Sequence, residues 1–128
     1  MGSKEVFKAG SALAGGVARR METCGALTGA IMGVCCLAGR EMLEDKVQYQ
    51  KSMDEAIRLS DQFNKEIGHT ICAEIHKKRY GKVYNLAKAK EREAFHKEGG
   101  HGRKGCPEIC GVAARIAAEI ILDIKDKP

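Results

Sequence analysis

A chain of 128 residues with 44 % hydrophobic content has room for one domain with a genuine core. It has no Trp and only 5 % aromatic residues, so that core must be aliphatic and packed with small side chains. A formal net charge of +5, with 30 % charged residues, describes a soluble, mildly basic protein. Its size and six cysteines exclude a disulfide-stapled miniprotein and point to reduced thiols, metal ligands or redox centres in a cytoplasmic protein.

From Thr23 to Gly39 the chain carries 17 residues without a charge. Spanning a bilayer takes about 20 predominantly apolar residues, and several here are Gly or Thr, so the run reads as a core helix with no membrane insertion. With only Pro107 and Pro128 to interrupt them, long helices are free to form.

In chain order, Ser3 to Leu13 is a short helix candidate broken by Ala14-Gly15-Gly16. Thr23 is placed to cap a second helix ending at Ala38, with Gly39 as its stop. Gly25, Gly29 and Gly33 give that helix one bare face, which suggests tight helix packing or, together with uncovered apolar surface, a homodimer. A third helix fits Val47 to Ile67, with Met53, Ala56, Ile57, Ser60, Phe63 and Ile67 on one stripe and Gly68 as its end. Thr70 is a cap for a short fourth helix carrying Cys72, Ile75 and Arg79.

Lys77 to Lys104 holds ten Lys or Arg against Glu91, Glu93 and Glu98, a balance of +7. Within it, Tyr84 to Lys97 reads as an exposed helix and Gly99 to Gly105 as a flexible loop. A charge run of this kind is a solvated face; no nucleic-acid reader motif accompanies it, and no nucleic acid is expected as a partner. Finally, Ile109, Val112, Ala113, Ile116, Ala117, Ile120, Ile121 and Ile124 follow helical spacing without a miss, from a start at Cys106-Pro107. No segment alternates at period two. The expectation is an all-α, single-domain bundle of about five helices spanning residues 1–128.

Cys24, Cys72 and Cys106 each fall at a helix start, where unpaired N–H groups and the helix dipole favour a thiolate. Arg19 and Arg20 precede Cys24, and Arg103 and Lys104 precede Cys106, so Cys106 is expected to react fastest. Cys35 lies 11 residues beyond Cys24, about 16 Å along a helix axis, too far to share one ion. Cys35 and Cys36 read as buried core residues. Cys110, one turn after Cys106, is either a second ligand or a packing residue. His69, His96 and His101 read as exposed polar residues. Cys72 with His76 and Cys106 with Cys110 would form a Cys3His zinc set, the alternative to redox chemistry.

The string Cys24-Gly25-Ala26-Leu27-Thr28-Gly29, preceded by Gly15-Gly16 and Glu22-Thr23, resembles the signature of a bacterial and archaeal family of redox-active proteins. That family is named for spaced cysteines around a CGAxxG motif (C_GCAxxG_C_C). Gly68 with Cys72, and Gly105-Cys106-Pro107 with the Ala117-Ala118-Glu119-Ile120 run, look like its later cysteine anchors, so the resemblance spans about Phe7 to Ile124. It implies thiol–disulfide exchange or electron transfer, with a redox partner protein or a small thiol, through Cys24, Cys72 and Cys106. It also implies an iron–sulfur cluster as one cofactor, which needs about four thiolates. The family's first cysteine, on an N-terminal helix, has no counterpart in this sequence. Cys110, Cys35, Cys36 or a partner chain would then supply the fourth thiol. The residues leave open whether the chain is an enzyme.

Overall fold

A computed structural model describes residues 2–128. Among them are six α-helices and no strand: α1 (Lys4–Ala9), α2 (Gly25–Ala38), α3 (Lys46–Ile67), α4 (Cys72–Tyr80), α5 (Ala89–Lys97) and α6 (Cys106–Asp126), with a 3-10 turn at Ser11–Leu13 after α1. The count is six, against an expectation of about five. None of these helices is long and apolar enough to cross a membrane.

The core is built where α2, α3 and α6 pack together. Leu27, Ala30, Val34 and Ala38 of α2 meet Leu59 and Phe63 of α3 and Ile109, Ala113, Ile116, Ala117 and Ile120 of α6, with Ile75 of α4 closing one end. The α6 stripe read from spacing is the buried one. On α3 the stripe is different: Met53 and Ile57 are exposed, while Leu59 is fully buried. Its buried line is Ser52, Leu59 and Phe63, steps of seven and four that lie on one narrow side of a surface helix. Gly29 and Gly33 do not serve tight packing, since a Cβ built on either meets nothing within 4 Å. Of the three face glycines only Gly25 is closely approached, by the Leu13 carbonyl at 2.8 Å from where its Cβ would stand.

A second, smaller core gathers Tyr84, Leu86 and Phe95 against Met21, Tyr80, Ala94 and Cys106. This corrects the reading of Tyr84 to Lys97 as an exposed helix. The helix begins only at Ala89, and the irregular segment before it turns Tyr84 and Leu86 inward, so no periodicity announces their burial. Gly99 to Gly105 lies between α5 and α6 as a loop of successive turns. The N–H of Gly100 donates to Phe95 O, that of Gly102 to Gly99 O, that of Gly105 to Gly102 O and that of Cys106 to Gly100 O. Gly100 lies against the Phe95 ring and Gly105 against the Gly100 carbonyl, each with no room for a Cβ.

The least ordinary segment is the strap between the 3-10 turn and α2. Gly15, Gly16, Val17, Ala18 and Arg19 all have φ between 53° and 72°, and Met21 follows at 64°. A left-handed backbone costs roughly 1–2 kcal/mol for each residue with a Cβ, and a β-branched valine is a rare occupant. Such strain persists where the surroundings over-determine it. Here the N–H of Met21 donates to Gly15 O and that of Glu22 to Gly16 O, while Glu22 O and Met21 O accept from Cys72 and Ala73 at the start of α4. The strap is therefore stitched to α4.

Candidate functional site

Strap stitching determines where the cysteines fall. Thr23 and Ile71 pair in an antiparallel bridge, and the N–H of Cys24 donates to Thr70 O at 2.9 Å. The bridge takes Thr23 out of the capping role expected of it. Cys24 is the N-cap of α2 and Ile71 that of α4, so Thr70 caps nothing. The imidazole Nδ1 of His69, half-buried rather than exposed, accepts the N–H groups of Thr70 and Ile71 at 3.0 Å each. Cys106 is the first residue of α6 rather than its cap, which is Gly105. The three helix starts that carry Cys24, Cys72 and Cys106 thus stand together.

They open on one cavity of about 350 Å³. Cys24, Cys72, Cys106 and Cys110 line it, with His76 and His101 among them and Leu13, Leu86, Phe95 and Ile109 as apolar walls. All six cysteines of the chain are free thiols. Cys72 is buried, Cys24 and Cys106 are half-buried and Cys110 is exposed. Cys35 and Cys36 stand apart, on the later turns of α2. Cys36 is exposed and Cys35 only half-buried, which corrects the expectation of two core residues. Position 36 falls on the side of α2 turned towards α1, where the two helices leave an open groove.

The electrostatics overturn the expected lowering of the thiol pKa values. Burial pushes Cys72 up to about 12, and the neighbouring Cys24 and Cys106 sulfurs add to it. Burial also raises Cys106 to about 11, helped by Cys24 and Cys110, while Arg79 and Tyr80 pull it back. Cys110 is exposed as a residue, yet the protein around its sulfur raises it too, with Cys24 contributing. Desolvation disfavours the charged thiolate, and the compensating donors are already occupied. The N–H groups of Cys72 and Ala73 serve the strap. That of Cys106 serves Gly100, Pro107 has none, and that of Glu108 serves Gly105. Only at Cys24 do the next two N–H groups, of Gly25 and Ala26, meet no acceptor among the described residues. The basic neighbour that Cys106 feels is Arg79, not the expected Arg103 and Lys104. Arg79 Nη1 donates to Lys104 O at 3.0 Å and stands 3.5 Å from a Glu108 carboxylate oxygen.

Around Cys72 the polar groups are poorly matched. His76, 1 % exposed, brings Nε2 to 3.7 Å from Cys72 Sγ, and its Nδ1 has no partner. Burial lowers its pKa, so the ring is neutral at ordinary pH. It stacks on Phe95 at 4.5 Å between centroids and meets Tyr80 edge-on. The buried Tyr80 hydroxyl also lacks a hydrogen-bond partner within range, though Cys106 is close enough to perturb it. His76 entered the sequence reading only as a zinc ligand, and Tyr80 was given no role in it. Their spacing from Cys72, four and eight residues along one helix, is the signal that put them on one face.

Fitness for a metal group follows from the donor set. A cluster needs about four thiolates converging and zinc a closed tetrahedron of ligands. Among the described residues, no three His, Cys, Asp or Glu side chains are gathered closely enough to hold a metal ion. The expected sets, Cys24, Cys72, Cys106 and Cys110 for a cluster and Cys72, His76, Cys106 and Cys110 for zinc, share the cavity without converging. As placed, they fit neither group.

A model of the family described as "Putative redox-active protein (C_GCAxxG_C_C)" matches residues 1–120. No curated protein and no solved structure matches the chain.

Proposed function

From the C_GCAxxG_C_C family of redox-active proteins, to which the chain belongs, we propose a thiol–disulfide exchange function, with Cys24 as the attacking thiol and Cys106 as its resolving partner. The carrying observation is the position of Cys24. It is the one cavity thiol whose charge acts on all three of the others. It also stands beside the two unpaired N–H groups of Gly25 and Ala26, the donors that favour a thiolate at a helix start. Cys106 is the better partner because Arg79 and Tyr80 ease its ionisation, whereas Cys72 has no such help.

In this scheme the Cys24 thiolate attacks one sulfur of a substrate disulfide and expels the other as a thiolate. The Cys106 thiol, losing its proton to that thiolate, then attacks the Cys24 sulfur and releases the second half. Two protein thiols give up two electrons and two protons, and one disulfide becomes two thiols. The redox partner is a small disulfide or a protein carrying one. Cysteine pairing after mild oxidation, mapped by mass spectrometry, tests this. A Cys24–Cys106 disulfide is expected, absent from Cys24→Ser, with Cys106→Ser accumulating a mixed disulfide on Cys24. Unchanged oxidation kinetics in Cys24→Ser would overturn the assignment. The homodimer expected from the uncovered Gly29 and Gly33 face belongs to the same reading, and a monomer by light scattering at tens of micromolar, roughly the range of ordinary interface affinities, counts against it.

A further inference from the structure

The cavity narrows what the exchange reaction takes as substrate. At about 350 Å³ it lies near the lower end of small-molecule pockets, which run from about 300 to 1,000 Å³. Of its four thiols only Cys110 is exposed; Cys72 is 7 % exposed, and Cys24 and Cys106, the exchanging pair, are half-buried. A protein disulfide would have to bring its main chain inside, whereas a small one enters whole.

The donors left over beside Cys24 fit such a guest. The free N–H groups of Gly25 and Ala26 lie at the start of α2, a helix of 14 residues, and both residues line the cavity. They favour the attacking thiolate at the cavity wall. His76 lies behind that wall, 1 % exposed and with its unpartnered Nδ1 enclosed, out of a guest's reach.

We propose that this cavity is the binding site for a low-molecular-weight disulfide, held against Cys24 beside the free N–H groups of Gly25 and Ala26. The inference rests on the thiol–disulfide reading above and adds its substrate class. The Cys24 sulfur forms a bond to the near sulfur of the guest, and the guest S–S bond breaks. Its electron pair goes to the far sulfur, which leaves as a thiolate and takes up the Cys106 proton. Attack by Cys106 on Cys24 then frees the second half as a thiol, so one small disulfide yields two small thiols and one protein disulfide.

The test mixes the reduced full chain anaerobically with bis(2-hydroxyethyl) disulfide, or with insulin as a protein disulfide, and follows thiol loss. The expected rate saturates with the small disulfide, and insulin reacts slower by roughly tenfold or more, since exchange follows access to the attacked sulfur. Ala14→Trp, at an exposed rim residue of the same cavity, should block the small disulfide without altering the core. Insulin reacting as fast as the small disulfide, or Ala14→Trp reacting like the parent chain, overturns the inference. Diamide, a general thiol oxidant, separates the two levels. If it forms the Cys24–Cys106 bond while the small disulfide shows no saturation, the substrate assignment alone falls. If it forms no such bond, the exchange reading falls with it.

Discussion

Gly16→Ala probes the joint that brings two of the thiols together. Gly16 has φ +72°, and an added Cβ would stand 2.5 Å from Glu22 N, 2.7 Å from Cys72 Cβ and 2.8 Å from the Met21 carbonyl carbon. Two of these are backbone atoms and the third is the root of a side chain, so none can swing aside. The left-handed conformation alone costs an alanine about 1 kcal/mol. Relieving the overlap means lifting the strap from α4. That strains the bonds from Glu22 N to Gly16 O, Cys72 N to Glu22 O and Ala73 N to Met21 O, each worth about 1 kcal/mol net. A loss of about 3–5 kcal/mol is expected, a large share of the roughly 5–15 kcal/mol that holds a domain together. Urea unfolding followed by circular dichroism measures it, with Gly29→Ala as the control. Gly29 lies mid-helix with nothing near its Cβ direction, so that change should stabilise by about 0.5–1 kcal/mol. A Gly16→Ala protein within about 1 kcal/mol of the parent, or a Gly29→Ala protein as unstable as Gly16→Ala, would refute the reasoning, since these magnitudes come from the strain and hydrogen-bond costs above.

Other outcomes follow from the thiol environments. Because Cys72 ionises near pH 12 when folded and near its ordinary value of about 8.5 when unfolded, the unfolded chain loses that proton first. Stability is therefore unaffected by this group below about pH 8.5 and falls above it, by about 1.4 kcal/mol per pH unit towards 12, and Cys72→Ala should flatten that decline in urea titrations at stepped pH. Removing the guanidinium that pulls the Cys106 thiol down, Arg79→Ala, should slow alkylation of Cys106 at fixed pH severalfold, read by mass spectrometry; an unchanged rate contradicts that coupling. Iodoacetamide should label the exposed Cys36 before the buried Cys72, and the reverse order would contradict the placement of α2 and α4.

What the sequence made legible was what periodicity and punctuation encode. The α6 stripe, the ends of α2 at Gly39 and α3 at Gly68, and the helix-start positions of three cysteines all come from local rules that burial then obeys. The Tyr84, Leu86 and Phe95 core was hidden because two of its members sit on irregular chain between α4 and α5, where no period applies. The left-handed strap was hidden for a different reason. Val17, Ala18 and Arg19 have no intrinsic preference for positive φ, and they are held there by their N–H groups donating back to Leu13 O, Ala12 O and Ala14 O and by the bonds of Met21 and Glu22 to α4. Gly15-Gly16 announced a break, but not its handedness.

The thiols mark the deeper difference between place and property. A helix start favours a thiolate through N–H groups it has left to give, and a count of helix starts treats Cys24, Cys72 and Cys106 as equals. A count of donors does not. The strap that carries Cys24 to Cys72 spends the first N–H groups of α4 on its own carbonyls, and the Gly100 turn with Pro107 does the same at α6. The contacts that gather the cysteines therefore consume the groups that would have activated two of them, and burial raises those two instead. At α2, whose first residues include a glycine pressed against the Leu13 carbonyl, the two N–H groups next to the thiol stay free. The reactivity assigned from charge to Cys106 passes to Cys24 on this accounting, because its neighbours' N–H groups are the ones the fold has not used.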